Sequence, residues 1–452
     1  MPGPRVFLAL IAIAWGCSSG CSRGYDRDGR GAQPGAGTRL TIATVNNADM
    51  IVMQKLSKEF ETQNPGIELD WVVLEENVLR ERTTTDIAAK GGQFDILTIG
   101  TYETPIWGKR GWLARLDEDL PPSYDLDDVL KPVRDGLSSD GKLYALPFVG
   151  ESSFTFYRKD LFDKAGLEMP DRPRYEDIAR FARALHAPGA GVYGIVLRGK
   201  PGWGENMGYI STLVNTHGGR WFDEKWQPQF TSPEWKQAIT FYVNLLKAHG
   251  PPGSSSNGHN ECRALFANGQ AAMWIDTTSA AGYLSDPAQS RVAGKVAFAE
   301  APTARVPNGN KWLWSWALAV TVSSKHQDEA RRFIQWATSK EYIKLVASRY
   351  GWTVVPPGTR KSTYEQSEYR EAAPFAPLVL EAIMAADPNH PTARPVPYKG
   401  IQFVGIPEFP VIGTQVGQQM ASALVGNTTV EQALQTAQST TERTLRRAGY
   451  PK

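Results

Sequence analysis

Residues 40–73 read LTIATVNNADMIVMQKLSKEFETQNPGIELDWVV, and the hydrophobic side chains in this stretch recur in two different patterns. Residues 40–45 and 67–73 are apolar runs of strand length, whereas residues 50–60 repeat their apolar side chains with the period of a helix. Asn64-Pro65-Gly66 is a turn signal between the helix and the second strand. A strand, a helix and a second strand in this order predict an α/β unit with parallel strands.

The same alternation continues along the rest of the chain. Further strands are predicted at residues 94–99, 143–147, 153–157, 192–197, 271–275 and 316–322. Helices are predicted between these strands, and the C-terminal region is predicted to be helical from Thr414 onward. Because strands that alternate with helices favour parallel sheets covered on both faces, we expect an α/β fold with mainly parallel sheets flanked by helices.

The composition excludes several classes of partner. The chain has 452 residues, 41% hydrophobic and 21% charged, which is enough for two or three ordinary cores. Its 49 Lys and Arg nearly balance its 47 Asp and Glu, so the basic surface that nucleic acid requires is not predicted. The 14 Trp, 16 Tyr and 17 Phe exceed the needs of a core and indicate stacking against a ligand.

The first residues have the features of an export signal. Arg5 precedes an apolar stretch, residues 6–15, that is too short to span a bilayer. Residues 1–21 are therefore predicted to be a signal peptide with a lipoprotein-type cleavage site, and Cys21, or alternatively Cys17, to carry the lipid. The glycine-rich residues 22–37 are predicted to be a flexible tether. A plain secreted protein without an anchor is the alternative interpretation.

Polar and aromatic residues follow four of the predicted strands. They are Asn46, the pair Tyr102 and Glu103, the segment 198–206, and Asp276. In open α/β sheets, ligands bind outside the carboxyl ends of the strands. These four segments therefore form the predicted binding site, and their side chains suit a ligand rich in hydroxyl groups.

Two sets of short motifs run along the chain. The first set is NPGI at 64–67, KGGQFDI at 90–96, LYALP at 143–147 and YRKDLF at 157–162. The second set is TVNN at 44–47, WVVLEEN at 71–77, GESS at 150–153, RGK at 198–200, GWGEN at 202–206, WID at 274–276 and YKGIQF at 398–403. By the first set the chain resembles the extracellular solute-binding proteins of ATP-driven importers, of the carbohydrate-binding type, and by the second it resembles the sorbitol/mannitol-binding group within them.

The resemblance implies a two-lobed clamshell that closes on a sugar alcohol or related small carbohydrate and is recognised, when closed, by a membrane permease. It implies that residues 38–146 and 311–365 form the first lobe, and that residues 147–310 and 366–452 form the second. The implied receptor is a monomer without a cofactor, and it touches the membrane only through the lipid anchor.

Three charged residues are the main polar candidates for contacts with this ligand. Glu151 follows a strand at a position where related carbohydrate binders often place an acid, and a structural salt bridge is its alternative role. Arg198 either donates to ligand hydroxyls or holds Glu151 or Asp276 in position. Asp276 either accepts from two hydroxyls or caps the helix that follows it.

Aromatic and amide side chains complete the candidate set. Trp274 shares a strand face with Asp276, and Trp203 lies in a glycine-rich loop where a large ring suggests stacking. Trp314 belongs to a period-two run of tryptophans that either lines the cleft or packs in the core. Asn46 and Asn206 either contact the ligand or close turns with their own side chains. Tyr102 and Glu103 are further candidates with the same uncertainty, and Gln402 and Phe403 are weaker ones.

Two other classes of function remain open at this point. No Gly-x-Ser-x-Gly, P-loop or His-Glu-x-x-His motif occurs, and no metal site is predicted. An exported glycoside hydrolase that uses Glu151 and Asp276 as its paired carboxylates is the alternative enzyme. An adhesion or scaffold protein is the third possibility, although it has no use for polar and aromatic residues at strand ends.

Overall fold

The computed structural model describes residues 37–307 and 309–451. The strands are β1 (Thr38–Val45), β2 (Ile67–Leu74), β3 (Ile96–Gly100), β4 (Ser138–Ser139), β5 (Lys142–Leu143), β6 (Leu146–Glu151), β7 (Ser153–Arg158), β8 (Met273–Thr277), β9 (Val296–Glu300) and β10 (Trp314–Val320). The helices are α1 (Ala48–Gln63), α2 (Glu76–Ala89), α3 (Glu103–Lys109), α4 (Lys131–Gly136), α5 (Lys159–Ala165), α6 (Tyr175–Leu185), α7 (Asn206–Thr216), α8 (Pro233–His249), α9 (His259–Ala267), α10 (Ala280–Ser285), α11 (Gln327–Ala337), α12 (Lys340–Tyr350), α13 (Lys361–Glu365), α14 (Ser367–Ala372), α15 (Ala376–Ala385), α16 (Phe409–Val425) and α17 (Val430–Arg447).

The larger sheet has the strand order β2-β1-β3-β10-β6. As the sequence predicts, β1 pairs in parallel with β2 and β3, whereas β10 runs antiparallel to β3 and β6. Leu40 and Ile42 on β1 are fully buried beneath the helices that cover the sheet. Because β10 runs the opposite way, its first residues lie at the same edge as the last residues of β1 and β6.

A capping contact fixes how the chain leaves β1. The Asn47 side chain accepts a hydrogen bond of 2.8 Å from the Met50 N–H and so begins α1. Asn47 is thereby committed to the helix, while the neighbouring Asn46 is exposed at the carboxyl end of the strand.

The second sheet has the order β8-β7-β9, and both of its pairings are antiparallel. The α/β class with two lobes is confirmed, but the expectation of a mainly parallel second sheet is wrong. The predicted strand at 192–197 forms only isolated parallel bridges, Tyr193 to Ala271 and Val196 to Trp274. The second sheet is antiparallel because β7, which follows β6 of the first sheet almost directly, is its central strand, and both β8 and β9 run in the direction opposite to β7.

The chain passes from one sheet to the other at Ser152, a buried residue whose N–H donates to Thr278 Oγ1 over 3.1 Å. The predicted lobe boundary at 146/147 falls within β6, which pairs with β10 in the larger sheet. The assignment of segments to lobes stays a prediction, and the crossing lies a few residues later than it supposed.

The predicted signal peptide, both candidate lipidated cysteines and residues 22–36 of the predicted tether lie outside the described residues. In the part of the chain that the structure describes, no helix combines the length and apolar character needed to cross a bilayer.

Two glycines hold β6 close to the segment after α12. The Gly150 N–H donates to Pro357 O over 2.9 Å, and a Cβ placed on Gly150 would lie 2.1 Å from Gly358 O. Gly358 itself has a φ of +76°, a conformation that side chains disfavour. This backbone contact positions the next residue, Glu151, at the end of β6.

We expect Gly150→Ala to lower the free energy of unfolding by about 2–3 kcal/mol, because the added methyl group overlaps backbone that cannot turn away. Gly189→Ala is the matched control, since a Cβ there meets no atom within 4 Å. Urea unfolding followed by tryptophan fluorescence measures both. Equal losses in the two variants would contradict the importance of this backbone contact.

Candidate functional site

A cleft that is open to solvent lies between the two sheets. The ends of β1, β6 and β8 and the start of β10 meet there, which is where ligands bind in open α/β sheets. Its lining residues are Val45, Asn46, Asn47, Glu75, Glu76, Arg80, Glu151, Arg198, Lys200, Gly204, Glu205, Gly208, His259, Asn260, Glu261, Thr277, Ser279, Trp312, Trp314, Trp316, Gln402 and Phe403.

Aromatic rings form one wall of the cleft. The Trp314 ring lies 5.2 Å from that of Trp316 and 5.4 Å from that of Phe403, in both cases edge to face. Gly100 makes room for this arrangement, because a Cβ there would lie 2.1 Å from the Trp314 indole. The rings are buried except for the surfaces that reach the cleft, and these surfaces suit the carbon-bearing face of a carbohydrate.

Glu151 brings a carboxyl group to the cleft with one oxygen already bonded. Its Oε2 accepts from Thr277 Oγ1 over 2.5 Å and from Ser279 Oγ over 2.6 Å. Burial raises the pKa of Glu151 to about 7, although both hydroxyls and Arg198 act to lower it. The side chain forms no ion pair within the described residues, so its alternative role in a structural salt bridge is not supported, and no hydrogen bond there occupies Oε1.

Arg198 and Asp276 form a bidentate ion pair behind the surface of the cleft. Arg198 Nε donates to Asp276 Oδ2 over 2.8 Å, and Nη2 donates to Oδ1 over 2.5 Å. Although burial raises the pKa of Asp276, the adjacent guanidinium outweighs it and holds that pKa well below its usual range. Asp276 is buried and does not line the cleft, so it holds Arg198 in position instead of facing a ligand.

Arg80 on α2 is the cation of the opposite wall, and the sequence analysis missed it. Its Nε and Nη2 donate to Glu76 Oε1 over 3.1 and 2.9 Å, and Nη1 donates to Glu103 Oε1 over 2.5 Å. The guanidinium lies 3.9 Å above the Trp203 ring. In sequence, Glu76 and Arg80 have the i,i+4 spacing of an ordinary surface pair, which gave no indication that the pair lies in a cleft.

Three predicted site residues support Arg80 from behind. Glu103 is buried and also accepts from the Gly100 N–H over 3.0 Å. Tyr102 donates its hydroxyl to Ile406 O over 2.7 Å, and its ring lies 4.8 Å from that of Trp203. None of these three side chains lines the cleft.

Two further candidates, Asn206 and Trp274, are buried in the core and do not reach the cleft. Asn206 is fully buried, where its Nδ2 donates to Gly417 O over 2.9 Å and its Oδ1 accepts from the Gly202 N–H over 3.3 Å. Trp274 is fully buried on Phe156, with ring centroids 5.0 Å apart, and its Nε1 donates to Asp276.

The structure thus divides the ten predicted site residues into two groups. Those that line the cleft are Asn46, Glu151, Arg198 and Trp314, whereas Tyr102, Glu103, Trp203, Asn206, Trp274 and Asp276 do not. The second group lies one layer further back, because residue type and position after a strand do not reveal which way a side chain turns. Lining residues that were missed include Arg80, His259 and Ser279, for which no motif gave a signal.

The two walls also meet at the mouth of the cleft. Lys200 Nζ lies 2.6 Å from Glu75 Oε1, and Asn77 Nδ2 donates to Pro201 O over 3.4 Å. Burial, followed by the proximity of Glu76, raises the pKa of Glu205 to about 8. We call the Lys200–Glu75 pair the mouth ion pair.

The structure does not bring together the two carboxylates of the alternative hydrolase, Glu151 and Asp276. Hydrolysis of a glycosidic bond requires two carboxyl groups that both face the substrate. Glu151 meets this condition, but both oxygens of Asp276 are bonded to Arg198 and the carboxylate is shielded from the cleft. In residues 37–307 and 309–451, no three His, Cys, Asp or Glu side chains are grouped so that they could hold a metal ion.

The raised pKa of Glu151 has a measurable consequence for stability. Its folded-state value of about 7 exceeds the ordinary 4.5, so folding favours the protonated form and wild-type stability falls as the pH rises between these values. We expect Glu151→Gln, which never ionises, to gain on the order of 2–3 kcal/mol relative to wild type between about pH 4.5 and about pH 8.

Chemical unfolding of both proteins across that pH range measures the difference. Glu205, whose pKa is also raised, contributes to both proteins and largely cancels. The pKa of Asp49 is raised by burial and then by Glu151, so the measured difference includes the part of the Asp49 contribution that depends on the Glu151 charge. A difference that stays constant with pH would show that Glu151 is ionised normally in the folded protein.

Known proteins resemble this chain in sequence and in fold. A family model described as bacterial extracellular solute-binding protein matches residues 46–344. A mannitol-binding protein of Pseudomonas aeruginosa is 57% identical over 413 residues, which cover 91% of this chain and 94% of that protein.

Solved structures agree with this relationship. An ABC transporter solute-binding protein from Agrobacterium vitis with bound D-mannitol has a TM-score of 0.91 and 57% identity, covering 92% of this chain and 100% of its own. Another from Agrobacterium radiobacter, in complex with ribitol, has a TM-score of 0.79 and 27% identity, covering 90% of this chain and 98% of its own. The predicted resemblance is confirmed, and the chain belongs to the bacterial extracellular solute-binding proteins.

Proposed function

We propose that the protein is the receptor of an ATP-driven importer, which captures a sugar alcohol of the mannitol type between its lobes and delivers it to a membrane permease. Two relatives that are 57% identical support the choice of ligand, since one is named for mannitol and the other holds D-mannitol. The side chains that line the cleft, and the way in which their charges are paired, support the same choice.

The observation that carries the proposal is that the cations of the cleft are paired with carboxylates. Arg198 is bonded to Asp276, Arg80 to Glu76 and Glu103, and Lys200 to Glu75. An anionic ligand such as a phosphate would need an uncompensated cation, because burial of an unpaired charge is costly. A neutral ligand with many hydroxyl groups needs only hydrogen bonds, and the paired groups retain free donors and acceptors for these.

A sugar alcohol fits the two kinds of wall. Its carbon chain packs on the Trp314 and Trp316 rings, and its hydroxyls bond to Glu151 Oε1, to Arg198 and to Asn46 at the rim. Micromolar binding corresponds to about 8 kcal/mol, which several hydrogen bonds of about 1 kcal/mol each, together with ring contacts, supply. The ligand touches both walls only when the lobes are together, so it shifts the population toward the closed form.

The protein is proposed to bind its ligand without transforming it. The family consists of solute-binding proteins, and only one of the two carboxylates that a glycoside hydrolase would use reaches the cleft. Turnover of an oligosaccharide that depends on Glu151 would contradict this part of the proposal.

The family is extracellular, so the protein works outside the cytoplasm. We further propose that a lipid on Cys21, or else on Cys17, holds it at the membrane and that it acts as a monomer. The glycine-rich residues 22–37 would then let the receptor reach its permease.

We expect D-mannitol to raise the thermal unfolding midpoint of the protein, because a ligand at 100 times its Kd adds about 2.7 kcal/mol to the free energy of unfolding. At about pH 8, Glu151→Gln is expected to weaken mannitol binding about tenfold through loss of a charge-assisted hydrogen bond.

Glu431→Gln is the matched control, because Glu431 is an exposed residue that pairs with Lys236 over 3.4 Å on the surface. Isothermal titration calorimetry gives the three affinities. A midpoint that responds to amino acids or disaccharides but to no sugar alcohol would leave the family assignment intact and discard the polyol.

The mouth ion pair is expected to favour closure. Because both side chains are partly exposed, we expect Glu75→Gln and Lys200→Met each to weaken mannitol binding by about two- to fivefold. If the two residues act together, the double variant binds no more weakly than Lys200→Met alone. The same cycle on Lys236 and Glu431, which pair on the surface between α8 and α17, should leave affinity unchanged. Fully additive losses at the mouth would show that the pair does not act across the cleft.

A further inference from the structure

His259 is the first residue of α9, and its imidazole lines the cleft beside the Arg198–Asp276 pair. Its Nδ1 lies 3.2 Å from Asp276 Oδ1, and its ring centroid lies 5.6 Å from that of Trp274. No sequence motif singled this residue out, and the ion pair of Arg198 and Asp276 is complete without it.

The contact with Asp276 determines which ring nitrogen carries the proton. Because its pKa is held well below the usual range, Asp276 is ionised, and an ionised carboxylate only accepts hydrogen bonds. Nδ1 must therefore be the protonated nitrogen. In a neutral imidazole this leaves Nε2 as an acceptor.

The nearby guanidinium is consistent with this tautomer. Arg198 Nη2 lies 3.5 Å from His259 Nδ1, yet a guanidinium cannot accept a hydrogen bond and a protonated Nδ1 cannot accept one either. Both groups instead donate to the same oxygen, Asp276 Oδ1. Their closeness is explained by this shared acceptor.

The imidazole is neutral at ordinary pH. Burial lowers the pKa of His259, Arg198 and Arg263 lower it further, and only Asp276 acts to raise it. The acidic side chains nearby are Glu205, whose Oε2 accepts from the His259 N–H over 3.1 Å, and Glu261, which caps the helix at Gly258. Both side chains accept hydrogen bonds from backbone N–H groups.

The second ring nitrogen has no protein partner within the described residues, and the imidazole borders the cleft. We propose that His259 Nε2 accepts a hydrogen bond from a hydroxyl group of the bound polyol, and that Asp276 is the positioning residue that fixes the acceptor tautomer. This inference rests on the proposed function, since it requires a ligand that donates a hydroxyl hydrogen in the cleft.

Two substitutions separate this role from a structural one. The Gln side chain places an oxygen acceptor near the position of Nε2 but loses the donor at Nδ1, whereas Asn keeps a donor near Nδ1 and has nothing at Nε2. We expect His259→Asn to weaken mannitol binding about tenfold and His259→Gln to retain most of the affinity. If His259 serves only to brace Asp276, the order of the two variants is reversed.

His390 supplies the control, because its Nδ1 makes a similar contact with Asp387 Oδ2 over 2.8 Å on an exposed turn outside the cleft. His390→Asn should bind mannitol as the wild type does. A loss in this variant equal to that of His259→Asn would show that the effect is not specific to the cleft and would overturn the inference.

Nitrogen-15 NMR of histidine-labelled protein tests the tautomer directly, with His259→Gln used to assign the signal. We expect Nδ1 to be protonated and Nε2 to be unprotonated at neutral pH, and saturating mannitol to shift the Nε2 signal and lower the pKa of His259. Protonation at Nε2, or a His259 pKa that mannitol leaves unchanged, would overturn the inference while wild-type binding stands. A wild type that binds no sugar alcohol would overturn both this inference and the proposed function.

Discussion

The ion pair between Arg198 and Asp276 is the interaction on which the cleft depends. Both side chains are almost completely buried, and a buried charge is tolerated only when it is paired and its remaining hydrogen-bonding positions are occupied. Asp276 meets this requirement by accepting from Arg198, His259, the Trp274 indole and the Thr277 N–H. One carboxylate at the end of β8 therefore orients a guanidinium, an imidazole and an indole together.

The opposite wall repeats this design with different residues. Arg80 on α2 is held by Glu76 and Glu103, so its guanidinium is fixed before any ligand arrives. Carboxylates accept from two of the five N–H donors of Arg198 and from three of those of Arg80, and part of what remains is available to the cleft. Such preorganisation reduces the conformational entropy that ligand binding would otherwise cost.

The sequence predicted the first sheet well, because β1, α1 and β2 each have the period of their own structure. It did not predict the second sheet, since the direction of β8 and β9 depends on where the chain crosses at Ser152, which no local pattern records. In the site, Glu151 and Arg198 were found because each comes after an apolar segment that was predicted to be a strand. Trp203 and Asn206 occupy the same kind of position, but their side chains turn into the core. Arg80 was missed because it lies four residues after Glu76 on a helix, which is the spacing of an ordinary ion pair exposed to solvent.

The charged groups of the two walls meet in contacts that involve no buried ion pair. Arg80 comes from a helix of the first sheet, and the Trp203 ring beneath it belongs to the segment that leads into α7. Separation of these two groups exposes a stacked surface but breaks no buried ion pair, because Arg80 keeps Glu76 and Glu103. The mouth ion pair is partly exposed and therefore also contributes little. A neutral ligand that bonds to both walls adds hydrogen bonds that exist only when the walls are together, and these bonds shift the population toward the closed form.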